Sequence, residues 1–250
     1  MITILQHNKK GQLSFYLLIG TLVLMIVLLF SVLEQRRIEQ EVVDFTPVEN
    51  FIQGCLEESA KEGLIAYGNL GGTITHDKYY ITSFGETPAF EPNETKTTDE
   101  LLIVLQKETK QNLDHCLDDM SKLQDYTIEK TNAELSVEQI GKDMHYKLIY
   151  PIQIKKGESV KAFSTFTYDL EFDAQNFINA LNELLQAITR TKIPLSNMLD
   201  IKEKSGITVN SYIDDGLTVY VLEDDISKID QTWQFVFCVE DVPEEVVQNE

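Results

Sequence analysis

MHYKLIYPIQIKKGESVKAFSTFTYDLEF, residues 144–172, alternates apolar and polar side chains on either side of a turn-forming Lys156-Gly157-Glu158. Met144, Tyr146, Leu148 and Tyr150 form one apolar row, and Ala162, Phe166, Tyr168, Leu170 and Phe172 form the returning one. A period of two marks strands with one buried face, and the short turn joins them as a hairpin. Leu135 and Val137 extend the alternation upstream, so 126–172 reads as an antiparallel meander. Such a sheet needs a second layer over its apolar face.

Helices supply that layer. Downstream, Asp173 stands as a cap before Phe177, Ile178, Leu181, Leu184, Leu185 and Ile188, spaced by three and four and ending near Pro194. Upstream, Thr97-Thr98-Asp99-Glu100 caps an amphipathic helix carrying Leu102, Leu105, Leu113, Cys116, Leu117 and Met120. Thr46-Pro47-Val48-Glu49 combines a capping residue, an early proline and an acid, and so starts a third helix. Its apolar positions are Val48, Phe51, Ile52, Cys55, Leu56, Ala60 and Leu64, and Gly68, Gly71 and Gly72 end it. The glycine pair lacks the lysine of a phosphate loop and reads as a turn.

Around Tyr79-Tyr80-Ile81 a short strand or hairpin is expected, followed by an exposed loop from Gly85 to Thr98. Ile207 to Ile213, Leu217 to Leu222 and Thr232 to Val239 read as strands, with Asp214-Asp215-Gly216 as a tight hairpin turn and Cys238 in the core. The expected fold class is α+β: an antiparallel sheet packed with about three amphipathic helices, preceded by a transmembrane helix and a stalk.

The transmembrane expectation rests on Leu13 to Leu33, LSFYLLIGTLVLMIVLLFSVL, which contains no charge. A helix of about 20 such residues spans the roughly 30 Å hydrocarbon core of a bilayer. No A-x-A-like site follows it, so removal of the span is disfavoured. Glu34 to Glu41 continues with good helix formers as a stalk. The organisation is therefore a leader at 1–12, a membrane anchor at 13–33, a stalk at 34–45, an α+β domain at 46–240 and an acidic tail at 241–250. Lys9 and Lys10 before the span tie with Arg36 and Arg37 after it, so the flanks leave orientation open. Asn93-Glu94-Thr95 matches a glycosylation acceptor, and Cys55 and Cys116 sit one each on two apolar helix faces. Those thiols are either a disulfide in an oxidising compartment or two small buried side chains. Together the sequon and the cysteines favour a domain outside the cell.

Charge narrows the function. The chain of 250 residues carries a net −20, and beyond residue 33 there are 19 bases against 41 acids. That surface repels phosphates, which excludes nucleic acid as a partner. No G-x-S-x-G, H-E-x-x-H, Walker loop or S-x-x-K is present, and His7, His76, His115 and His145 are scattered. Neither an enzyme nor a cofactor is expected. Asp214, Asp215, Glu223, Asp224 and Asp225 could offer oxygens to calcium, but their spacing fits no EF-hand and Asp-Asp-Gly suits a turn, so no metal is expected.

Lys9-Lys10-Gly11-Gln12-Leu13-Ser14, set directly against the apolar run, resembles the class III signal peptides of archaeal type IV pilin-like proteins. The resemblance covers about 9–33; beyond it the chain resembles other archaeal membrane proteins with such an anchor. It implies cleavage between Gly11 and Gln12 by a prepilin-type peptidase on the cytoplasmic side, with the span retained and Ser14 matching the family's serine. Tyr16 departs from the glutamate that helps many members align in a filament. Two classes of function follow. One is a cell-surface structural or interaction protein in the lipid bilayer, contacting itself or other surface proteins. The other is a membrane-tethered receptor or enzyme ectodomain, which the size of the outer domain favours.

Overall fold

A computed structural model describes residues 9–38, 43–72, 78–91, 94–119, 123–188, 192–224, 229 and 232–240. The chain divides into two compact units, Met1–Asp44 and Phe45–Glu250.

The first unit contains helix α1 (Lys9–Ile38), 30 residues long and so about 45 Å from end to end. Side chains are described for 17–31. The large apolar residues from Leu17 to Phe30 are 42% to 70% exposed, and because consecutive residues turn by about 100° they cover every face of the helix. The two hydroxyls in this stretch bond inward: Thr21 Oγ1 donates to Leu17 O at 3.1 Å and Ser31 Oγ to Val27 O at 2.9 Å. Among the described residues, which in α1 means side chains 17–31 alone, no helix is long and apolar enough to cross a membrane.

The second unit is α+β. It comprises α2 (Thr46–Asn69), β1 (Tyr79–Thr82), β2 (Gly85–Pro88), α3 (Thr98–Asp118), β3 (Thr127–Lys130), β4 (Glu134–Ile140), β5 (Asp143–Lys156), β6 (Ser159–Glu171), α4 (Ala174–Ala187), α5 (Leu195–Ser205), β7 (Thr208–Asp214), β8 (Leu217–Asp224) and β9 (Trp233–Glu240). All strand pairs are antiparallel, in a four-stranded sheet around β5, a three-stranded β7-β8-β9 sheet and the β1-β2 hairpin.

Long β5 and β6 make the hairpin that the alternating stretch predicts. The meander ends there. β3 and β4 do not pair with each other but lie in succession along the other edge of β5. Burial alternates strictly along β5, with Met144, Tyr146, Leu148, Tyr150, Ile152 and Ile154 inward.

Helix α2 ties the layers together. Gln53 Nε2 donates to Thr167 O of β6 at 2.9 Å, taking up a carbonyl of an edge strand that would otherwise be open to pairing. Trp233 Nε1 of β9 donates to Leu64 O at 2.8 Å. This close approach needs Gly68, because a Cβ there would fall 2.1 Å from Gln234 O. On β9, Trp233, Phe235 and Phe237 face an aromatic core: Phe177 of α4 meets Trp233 edge-on at 4.9 Å and Phe235 at 5.1 Å, and Phe90 stacks on Phe237 at 4.9 Å. Val219, Val221, Val236 and Cys238 on the opposite face pack with Tyr80, Ala89 and Leu217, so β8 and β9 are buried on both faces while the edge strand β7 stays largely exposed.

Four expectations are corrected. Thr46 is the first residue inside α2, not its cap: the cap position is Phe45, without a side-chain bond. The stretch read as an exposed loop from Gly85 contains strand β2 and buried Phe90, 2% exposed, whose N–H donates to Cys238 O at 2.9 Å. The apolar residues of that stretch belong to the core beside β9. Helix α5 is additional; only its Ile201 is buried while Leu195 and Leu199 are exposed, so it carries no apolar stripe to betray it. The meander is broken as described above. Thr97 and Asp173 do cap α3 and α4, the former with a complete capping box to Glu100.

Candidate functional site

The alternating stretch contains one residue that a central strand tolerates poorly. Pro151 has no N–H to give to a ladder, yet it lies inside β5 with neighbours on both sides. Both neighbours respond. On one edge β3 stops pairing at Lys130, opposite Ile152, and β4 resumes at Glu134, opposite Ile149, leaving Thr131, Asn132 and Ala133 outside the ladder. On the other edge the β5-β6 register shifts between Ile149 and Ile152. Thr131 Oγ1 donates to Pro151 O at 2.8 Å, which holds the displaced connection against the strand.

A cleft of about 710 Å³ opens at this break, between the connection and the second half of α3. Lys110, Asp114, Leu117 and Asp118 line it from α3; their spacing sets them along one helix face. Thr131, Asn132 and Ala133 form the opposite wall, and Tyr150, only 2% exposed, borders it from β5. Lys110 Nζ is paired with Asp114 Oδ1. The wall of α3 therefore presents one base against two acids.

Beneath α3 the packing is tight. A Cβ on Gly63 of α2 would lie 2.4 Å from Thr109 Oγ1, so the backbone of α2 at Gly63 lies directly against Thr109 of α3. Thr109 Oγ1 and the Tyr146 hydroxyl are buried without a formed hydrogen bond. Burial pushes the Tyr146 pKa up, with Tyr168 adding to the rise.

A disulfide joins Cys55 of α2 to Cys116 of α3, with S–S 2.07 Å and Cα atoms 5.7 Å apart. A smaller cleft of about 280 Å³ adjoins it, bordered by Glu58, Glu62, His115 and Asp119 among others. His145 Nδ1 lies 2.6 Å from Asp169 Oδ1 on the outer face of the four-stranded sheet. The acids near the last hairpin are engaged separately: Asp214 Oδ2 accepts from Ser83 N at 2.6 Å, and Glu223 accepts from Asn210 and Gln234. Asp215 and Gly216 take positive φ of 45° and 82°, as the tight turn requires. Among the described residues no group of three or more His, Cys, Asp or Glu is arranged to hold a metal ion.

Gly11, Gln12, Leu13 and Leu33 all fall within the backbone span of α1. Asn93, His7, His76, Met120, Asp225 and the tail from 241 lie outside the described residues. Sequence reasoning missed the cleft, although Tyr150-Pro151 in mid-strand was the signal for it. No protein family, curated protein or solved structure matches the chain.

Proposed function

We propose that this is a single-pass membrane-anchored cell-surface protein, with a structural or interaction role rather than an enzymatic one, matured by a prepilin-type peptidase before Gln12. The observation that carries the reading is α1, whose apolar side chains from Leu17 to Phe30 are exposed on every face. Such a helix is stable where its whole surface meets apolar surroundings. Among its described side chains, 17–31, both hydroxyls, Thr21 and Ser31, bond inward to backbone carbonyls, which suits hydrocarbon. The uncharged run extends past the described side chains to Leu13 and Leu33, enough for a span.

Two observations support an outside domain. The Cys55–Cys116 disulfide belongs to oxidising compartments, and the acidic surface is unsuited to cytoplasmic nucleic acid. The K-G-Q junction supports cleavage on the inner face. Amino-terminal sequencing of the membrane fraction tests the maturation: a chain beginning at Gln12 is expected, and Gly11→Leu should leave the precursor intact. A wild-type protein that keeps Met1 would remove the peptidase from the reading and leave a plain signal anchor.

A further inference from the structure

The three-stranded sheet has two edges, and the fold treats them differently. Along β9 the carbonyls that point away from β8 are covered: Gly68 lies against Gln234 O, Gly71 lies against Val236 O, and Phe90 N donates to Cys238 O at 2.9 Å. On the other side β7 pairs with β8 alone among the described residues.

Which groups of β7 stay open follows from the phase of the ladder. Because Cys238 O bonds to Phe90, Cys238 exchanges no bonds with Val219 opposite it, and Val219 instead bonds to Tyr212 of β7. Asp214 and Leu217, which close the two-residue turn, fall in the same phase. The N–H and C=O groups of Val209, Ser211 and Ile213 therefore point away from β8, and no described residue takes them up.

Edge strands are ordinarily guarded by charge, proline or a bulge. This one is not: Gly206 to Ile213 holds no charged residue and no proline in a chain of net −20, and the β7-β8 register is unbroken. Tyr212 is 46% exposed and Ile213 81%. Over the rest of the acidic surface like charge keeps two copies of the chain apart, but along this neutral strip it does not. Antiparallel pairing about a two-fold axis at Ser211 sets Val209 against Ile213, Asn210 against Tyr212 and Ser211 against Ser211 of the second copy, so apolar meets apolar and every outward group is used. Asp214, which ends the strand, then lies about 20 Å from its counterpart, beyond the roughly 10 Å screening length.

We infer that β7 is the surface through which two copies of this chain pair, edge to edge and antiparallel, joining their three-stranded sheets into one. The contact is isologous and so closes at two copies. The proposal goes beyond membrane anchoring and does not depend on it; its failure would leave the reading of α1 and of the Gln12 terminus standing.

The test uses the full chain, oxidised, in density-matched non-ionic detergent micelles and followed by analytical ultracentrifugation. A monomer–dimer equilibrium is expected that tightens as salt is raised, because screening relieves the repulsion between acidic copies. Ser211→Pro removes an N–H that β8 does not use, so the intramolecular ladder survives while each copy loses a bond at the axis. Dimerisation should weaken by roughly ten-fold or more. Ile213→Glu should weaken it comparably with an unchanged melting temperature, since that side chain is already exposed. Ser211→Cys should cross-link between copies with a short bifunctional thiol reagent, its Cα atoms being about 5.5 Å apart, and several-fold more than Ile213→Cys, whose Cα atoms are about 14 Å apart. That positional contrast keeps the test decisive if the proline variant fails to fold. A monomer at every concentration, association that loosens with salt, pairing that both folded variants leave intact as pairing through α1 would be, assembly beyond two copies, or equal cross-linking at the two positions would each overturn the proposal.

Discussion

At the scale of single residues, Cys238 shows how a buried thiol couples this fold to pH. It is fully buried, its Sγ 3.4 Å from Pro88 O, to which the thiol donates weakly. Burial pushes its pKa from an ordinary 9.0 up to about 11, so the folded protein keeps the proton where the unfolded chain has lost it. The unfolded state then binds fewer protons than the folded one, and stability must fall as pH rises through that interval. Below pH 9 the contribution is complete. Tyr67 and Tyr146 are raised by burial as well and deepen the loss at still higher pH. Urea unfolding followed from pH 8 to 11 should therefore show a declining midpoint, with roughly 2 kcal/mol attributable to the thiol. Cys238→Ala should lower stability at every pH by leaving a small cavity, yet flatten the decline between 9 and 11. An unchanged slope in that variant would show that the thiol is not the group titrating.

At the scale of elements, the α2-α3 pair is fastened at two points, by the Cys55–Cys116 disulfide and by the backbone contact of Gly63 with Thr109. The two points lie eight residues apart on α2 and seven apart on α3, as an antiparallel helix pair demands. Closing a loop of 61 residues constrains the unfolded chain by about 4 kcal/mol in the chain-entropy account. A Cys55→Ala/Cys116→Ala double variant should unfold at markedly lower urea than the oxidised wild type, and reductant should bring the wild type down to it while leaving the variant unmoved. Equal midpoints with and without reductant would show that the bridge does not hold this pair. The cysteines were legible because each falls on an apolar stripe with a period the sequence displays. So were the β5-β6 hairpin and the caps at Thr97 and Asp173, where local chemistry and tertiary packing agree. Elements whose reasons are long-range were not legible. β2 and Phe90 sit in a proline- and glutamate-rich stretch and gain their place from β9, far along the chain. The exposed Leu195 and Leu199 of α5 give no amphipathic period. The break at Pro151 follows from pairing on both sides of β5, which no single strand reveals.

At the scale of the whole molecule, the composition splits into an uncharged run and an acidic remainder, and the two call for different solvents. On an insertion scale the leucine, isoleucine, valine and phenylalanine side chains of Leu13 to Leu33 favour the bilayer by roughly 5 kcal/mol or more, with no charge to oppose them. The remainder, with 19 bases against 41 acids, is repelled by anionic headgroups and stays in water. Basic residues tie across the apolar run, so under the proposed reading orientation has to come from elsewhere, and a disulfide, which persists in oxidising compartments, favours the outside. The expected outcome is a protein that stays in the membrane pellet through alkaline carbonate extraction and whose domain beyond Glu34 is digested by protease added to intact cells. A membrane-impermeant maleimide should fail to label Cys55 and Cys116 until a reductant is supplied, and should then reach them from outside. Release by carbonate would contradict the anchor. Protection of the domain until lysis, with its thiols free, would place it in the cytoplasm and reverse the topology.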